Sequence, residues 1–285
     1  MRRWLAAAAA SARLVSGRPA LWLPGALAWI ASLGWIPLLV AVTRPPSEAE
    51  LTFLGARIVT SGAWPWNAVV IAALAGAVVL AAFVLVAAAN AVLLDMLDQR
   101  HPSVSGTPRL LGIALIAAIP GAVAFVLLVI ATASAAPGAF NAPQDGGSVL
   151  SVVAAVAPII VGLSVAVVLG AAFAAVASRT DGVRAAGPAM SRVGAAALAQ
   201  VVLGTVVQAA FLLLAGLLLG VLWAPIGAQL DLGDGINFAT ALLLVGFVAI
   251  WLCLVLAGGA LHAWSASTWS RLLAAGVRPT PPPRT

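Results

Sequence analysis

RLVSGRPALWLPGALAWI, residues 13–30, carries an arginine-bearing segment into an apolar run and sets a Pro-Gly pair early in that run. Residues 109–126, RLLGIALIAAIPGAVAFV, follow the same plan. Superposing residue 13 on residue 109 aligns Arg13-Leu14 with Arg109-Leu110, Pro24-Gly25-Ala26 with Pro120-Gly121-Ala122, and Ala28-Trp29-Ile30 with Ala124-Phe125-Val126. A third copy opens at Arg192-Val193 and keeps Gly204 in register, with Leu203 where the proline stood. The runs that return from these copies echo one another as Ala81-Ala82-Phe83 and Ala171-Ala172-Phe173. The chain therefore reads as a repeated unit of two runs, each copy begun by an arginine followed by an aliphatic residue.

What the runs are follows from composition. Of the 285 residues, 63% are apolar and 8% charged, and the mean hydropathy is +1.14, far outside the range of soluble domains. A helix rising about 1.5 Å per residue needs roughly 20 apolar residues to cross the hydrocarbon. Six such runs lie near 21–42, 68–94, 110–136, 149–177, 193–223 and 236–264. None alternates in character as a membrane strand would. The expected fold is all-α: one six-span membrane domain over 1–275, built as three tandem helical hairpins, followed by a disordered proline-rich tail at 276–285.

Arginine sets the orientation. All fourteen basic residues are Arg, as a GC-rich coding sequence gives and as membrane-surface binding would also use. Twelve fall in the N-terminal segment, the second and fourth loops and the tail; only Arg44 and Arg57 fall on the other side. The positive-inside rule then puts both termini in the cytoplasm of a multi-pass protein of the cell membrane. With the arginines assigned to span ends and lipid head groups, the formal charge of +6 no longer points to nucleic acid. The start, MRRWLAAAAASARLVSG, imitates a signal peptide; because residues 4–12 are weakly apolar and Arg13 and Arg18 precede a stronger run, it reads as an uncleaved cytoplasmic segment. In the first outer loop Ser47 stands three residues before Glu50 in capping-box spacing, and Leu51, Leu54 and Ile58 recur at helical spacing, so 48–60 is expected to be a short outer amphipathic helix.

The residues that could carry chemistry are few. No Asp, Glu or Arg lies deep in a run, which weakens proton-coupled transport. Asp95, Asp98, Arg100 and His101, with Arg109 and Arg192, line the cytoplasmic rim, either as an acid-base cluster or as solvated helix ends. Gln208, Thr205, Gln200 and Ser164 are the candidate polar lining of a path, or else polar contacts between helices; Gly204, Gly216 and Gly220 share the stripe of Gln208, and Pro158, Gly162, Ala166, Gly170 and Ala174 form another. Both stripes suggest close helix approach. Pro24, Gly25, Pro120 and Gly121 bend helices for packing or expose backbone groups to an ion. His101 and His262 stand in no HExxH or GxSxG setting, DLGDG at 231–235 lacks the carboxylates of a calcium loop, and Cys253 is the one cysteine, so neither enzyme activity nor a metal or other cofactor is expected.

The arginine-led segments, the six runs and the closing stretch GGALHAWSASTWSRLLAAG (258–276) resemble a broad group of bacterial six-span integral membrane proteins, among them the membrane domain attached to some glycerophosphodiester phosphodiesterases. The resemblance is one of layout; it implies the six-span fold and transfers no catalytic residue. RAAGPAMSRVG at 184–194 is similar to the coupling segment of ABC-transporter permeases, without its leading Glu. The sequence thus points to a non-enzymatic membrane component whose partners are membrane lipids or partner subunits. The alternative is a permease subunit for a lipid-like or hydrophobic solute, possibly served by an ATPase. A cavity lined by Gln208, Thr205 and Ser164 would favour the second.

Overall fold

The structure is a computed structural model and describes residues 1–43, 53, 56, 57, 60, 62–141, 147–231 and 237–276, those of 128–160 by backbone alone. It is 89% helix with no strand among the described residues. Helix α1, Arg2–Ser16, is followed by a 3-10 turn Pro19–Leu21, α2 Trp22–Trp29, a π-helical turn Ile30–Gly34 and α3 Trp35–Val42. Then come α4 Trp66–Leu97, α5 Thr107–Asn141, α6 Gly147–Ala177, α7 Val183–Val193, α8 Ala195–Asp231 and α9 Phe238–Gly276. Five helical stretches among the described residues are long and apolar enough to cross a membrane. They are Pro19–Val42, Trp66–Leu97, Thr107–Leu127, Ala195–Leu230 and Phe238–Ala275. Every residue of α4 from Val69 to Ala81 is exposed, an apolar surface that water would penalise and lipid does not.

The first stretch is helical throughout but not uniform. Pro24 falls just after the 3-10 turn, in the first turn of α2, and Pro37 just after the π turn, in the first turn of α3, so each missing N–H falls where the helix changes its winding. Between them the π turn widens the helix, and Ser32 Oγ donates to the carbonyls of Ala28 at 2.8 Å and Trp29 at 3.1 Å. Pro120, by contrast, lies inside the continuous helix α5. Of the outer helix expected over 48–60, Phe53, Ala56, Arg57 and Thr60 are helical. Ser47, Glu50, Leu51, Leu54 and Ile58 lie outside the described residues, as do Asp145, Asp234 and the tail beyond Gly276.

Helix ends are closed by local chemistry. At the end of α4, Gln99 takes a left-handed φ of 59°; its N–H reaches Met96 O at 3.3 Å, and Arg100 N–H reaches Asp95 O at 2.8 Å. That is a Schellman cap with glutamine where glycine is usual. Gly182 and Gly194, with φ of 101° and 57°, bracket α7.

Contacts divide the chain into two compact units. One comprises Met1–Ala8, Arg109–Thr205 and the stretch from Thr268 on. Within it a Cβ on Gly170 would run into the carbonyl of Ala117, and one on Gly121 would lie 3.4 Å from Val167 Cγ2, so α5 and α6 touch at these positions. The other unit comprises Ala9–Pro108 and Val206–Ser267. There Gly25 and Gly259 put the backbones of α2 and α9 in direct contact, and the buried Trp29 ring lies against Gly34 and Gly258. Val15, Leu21, Leu93, Ala263 and Ala266 form one buried cluster; Leu219, Ile226 and Phe247 form another. The small-residue stripes do not all close as expected. Among the described residues a Cβ on Gly162, Gly216 or Gly220 would meet nothing within 4 Å, and only Gly170 meets a neighbouring helix. A small residue permits approach, but the residue opposite decides whether it happens.

Candidate functional site

In the unit containing Ala9–Pro108, the arginine-bearing end is built around the corner where α1 meets the first apolar stretch. Gly17 and Pro19 end α1; the Val15 carbonyl accepts the Arg18 N–H at 3.3 Å and the indole N–H of Trp22 at 2.9 Å, which folds the Trp22 ring back across the corner. Beside that corner an open groove of about 380 Å³ runs between α1, α2, α8 and α9. Its walls include Ser16 and Trp22 from the corner, Val207 and Phe211 from α8, and Ala257 and Trp264 from α9. The surface is apolar apart from Ser16 and the indole nitrogens, and Ser16 Oγ itself bonds the Arg13 carbonyl at 3.2 Å. Gln208 stands between Val207 and Phe211 in sequence, yet it does not line this groove, and neither Thr205 nor Ser164 does.

Several polar residues of the apolar runs bond between helices. His262 places Nε2 3.0 Å from Asn90 Oδ1, tying α9 to α4; with the imidazole in its Nε2–H tautomer, that nitrogen donates. At the far ends of α8 and α9, Thr240 Oγ donates to Gln229 Oε1, and Trp223 and Phe247 rings lie 5.2 Å apart. In the other unit, Gln200 is 2% exposed, and its Oε1 accepts the buried indole N–H of Trp4 at 2.8 Å. Thr205 is half-buried and Ser164 is exposed. Gln200 is thus a packing residue, and of the four candidate lining residues it alone is buried.

At the rim, Asp95 and Asp98 part company. Asp95 Oδ2 accepts the Ser103 N–H at 3.1 Å and so staples the loop that follows α4. Asp98 faces Arg100 at 3.9 Å, both exposed, and His101 is exposed. In the first-described unit, Arg109 donates to the Thr180 carbonyl at the end of α6. Arg179, which sequence reading counted but did not single out, donates from Nε to Ser270 Oγ at 2.9 Å and from Nη1 to Ala175 O at 2.6 Å. Arg192 closes α7 and is exposed. No three His, Cys, Asp or Glu side chains come together among the described residues.

Asn90, Trp4 and Arg179 are the residues that sequence reading missed. Their one visible signal was a polar group inside or at the edge of an apolar run, which demands a partner without naming it. Compared with known proteins, the chain matches no family model, no curated protein and no solved structure.

Proposed function

We propose that the chain is a non-enzymatic component of the cell membrane that packs lipids or partner subunits around it, with six spans in three like-oriented hairpins and both termini in the cytoplasm. The contacts support the hairpins. Ala117 meets Gly170 while Gly121, further along α5, meets Val167, earlier in α6; likewise Trp223 meets Phe247 while Gln229, further along α8, meets Thr240, earlier in α9. In both pairs the helices run in opposite senses. Leu21 joins the cluster of Leu93, giving the first stretch and α4 as the third pair. The resemblance to bacterial six-span membrane families fits this layout.

The observation that carries the functional reading is where polar groups go. Gln200, Asn90 and His262 are held in contacts between helices, whereas the open groove is apolar. An apolar opening suits an acyl chain or an apolar helix, not a hydrated solute. The test is purification in a mild detergent followed by identification of what stays bound. Retained lipid or an integral membrane partner is the expected result; ATP-dependent uptake of a solute by the reconstituted complex would overturn it.

One feature favours the second reading, a permease subunit. The segment similar to a permease coupling segment is a discrete amphipathic helix, α7, with Arg184 and Arg192 exposed and Ala186 and Ala189 buried. Copurification of an ATPase that is lost when Arg184 and Arg192 are both changed to Glu would establish it.

A further inference from the structure

We infer that the groove beside Trp22 is a binding site for one anionic glycerophospholipid, its acyl chain lying between α1, α2, α8 and α9 and its phosphate held by Arg13 and Arg18. The inference rests on the proposed role as a lipid-packing membrane component and names the lipid class and the place. Three observations meet here. The groove has the volume of a small-ligand pocket, about 380 Å³, within the range of roughly 300–1,000 Å³ typical of such sites. It is apolar and open along helices long enough to cross a membrane, as an acyl chain requires. From Trp264 to Ala257 along α9 the wall is about 10 Å deep, so a chain entering from the head-group level is covered for its first several carbons.

The third observation is charge. Ala12, Val15 and Ser16 line the groove, Arg13 flanks that face of α1, and Arg18 stands just beyond the end of the helix. Both arginines are exposed, and among the described residues neither is in an ion pair. From Met1 to Thr43 there is no Asp or Glu, so the segment that bears Arg13 and Arg18 holds no carboxylate of its own. A guanidinium presents paired N–H donors that match phosphate oxygens, and basic pockets between membrane helices select anionic head groups. Trp22 and Trp264 stand at the same level, where indoles favour the interface. A zwitterionic lipid would fill the groove equally well but would bring its own cation to the arginines.

The test uses the full chain in nanodiscs of equal parts phosphatidylcholine and phosphatidylglycerol, transferred to mild detergent, with retained lipids counted by native mass spectrometry. Each arginine near the head groups contributes about fivefold, so phosphatidylglycerol is expected over phosphatidylcholine by roughly thirtyfold at low salt. Arg13→Gln with Arg18→Gln should bring the preference close to one while leaving a retained lipid. Ala257→Leu, at an exposed position on the groove wall, should reduce retention of both lipids with the arginines intact. Equal retention of the two lipids by the unaltered chain overturns the inference, as does a preference that survives the double arginine change. Either result would leave untouched the broader reading, which fails on solute transport and not on lipid selectivity.

Discussion

Gly25 and Gly259 bring two helix backbones into contact: a Cβ on Gly259 would lie 2.5 Å from both the Ala26 nitrogen and the Trp22 carbonyl oxygen, and a Cβ on Gly25 would overlap the Gly259 carbonyl. The atoms met are backbone, which cannot step aside as a flexible side chain would. Gly25→Ala and Gly259→Ala should each cost at least about 1–3 kcal/mol, the usual penalty of overpacking. Gly216→Ala and Gly220→Ala, where a Cβ meets nothing within 4 Å, should be neutral or should stabilise by about 0.5–1 kcal/mol through helix propensity. Melting temperatures of the four variants in one detergent separate the two outcomes.

Gln99 offers a gain. Its φ of 59° is the conformation in which a Cβ crowds the following carbonyl, at roughly 1 kcal/mol or more. Gln99→Gly should raise the unfolding temperature by the equivalent of about 0.5–1 kcal/mol, whereas Gln99→Val should lower it. Protease susceptibility of the loop after α4 should follow the same order.

The Trp4–Gln200 bond joins residues 196 positions apart through a buried contact of 2.8 Å. A cycle of Trp4→Phe, Gln200→Leu and the double variant should return a coupling of about 0.6–1.7 kcal/mol, the range found for hydrogen bonds between membrane helices. Each single change should cost more than the coupling alone, because it leaves one buried polar group without this partner.

Asp95 and Asp98 should respond differently to removal of charge. Asp95→Asn keeps an acceptor for the Ser103 N–H and should be close to neutral, while Asp95→Ala should cost about 1 kcal/mol. Arg100→Gln, which removes an exposed pair at 3.9 Å, should change stability by less than about 0.5 kcal/mol. Thermal unfolding of the three variants tests the loop-staple reading directly.

The orientation is checked with thiols. Cys253 is the one cysteine, so Cys253→Ala gives a thiol-free background. In that background Ala6→Cys and Ala275→Cys, both at exposed positions, should react with a membrane-impermeant maleimide only after permeabilisation. Thr43→Cys should react in intact cells. Labelling of Ala6→Cys and Ala275→Cys from opposite faces would overturn the paired-span topology.

The long helices were legible because a run that is to cross hydrocarbon must be long and apolar. The runs at 68–94, 110–136 and 149–177 became helices Trp66–Leu97, Thr107–Asn141 and Gly147–Ala177. The helix from Phe238 continues to Gly276, well past the run ending near 264, since alanine, leucine and arginine sustain a helix after the apolar requirement has ended. Helix α7 was legible only as an alanine-rich loop, because its boundaries are drawn by the positive-φ glycines at 182 and 194 and not by hydrophobicity. The π turn was invisible: Ile30 to Gly34 read like any apolar stretch, and the widening answers to the Trp29 ring packed on Gly34 and Gly258. Partner choice was likewise unreadable. Asn90 and His262 each announced a need for a hydrogen bond, but which helix supplies it is a property of packing.

The backbone crossing of Gly25 and Gly259 joins the earliest long apolar stretch to the final one. A ribosome delivers them in that order, so the notch at Gly25 stands vacant while every intervening helix is made, and the contact forms only when α9 arrives. Chains truncated before Gly259 should accordingly insert yet remain prey to membrane proteases.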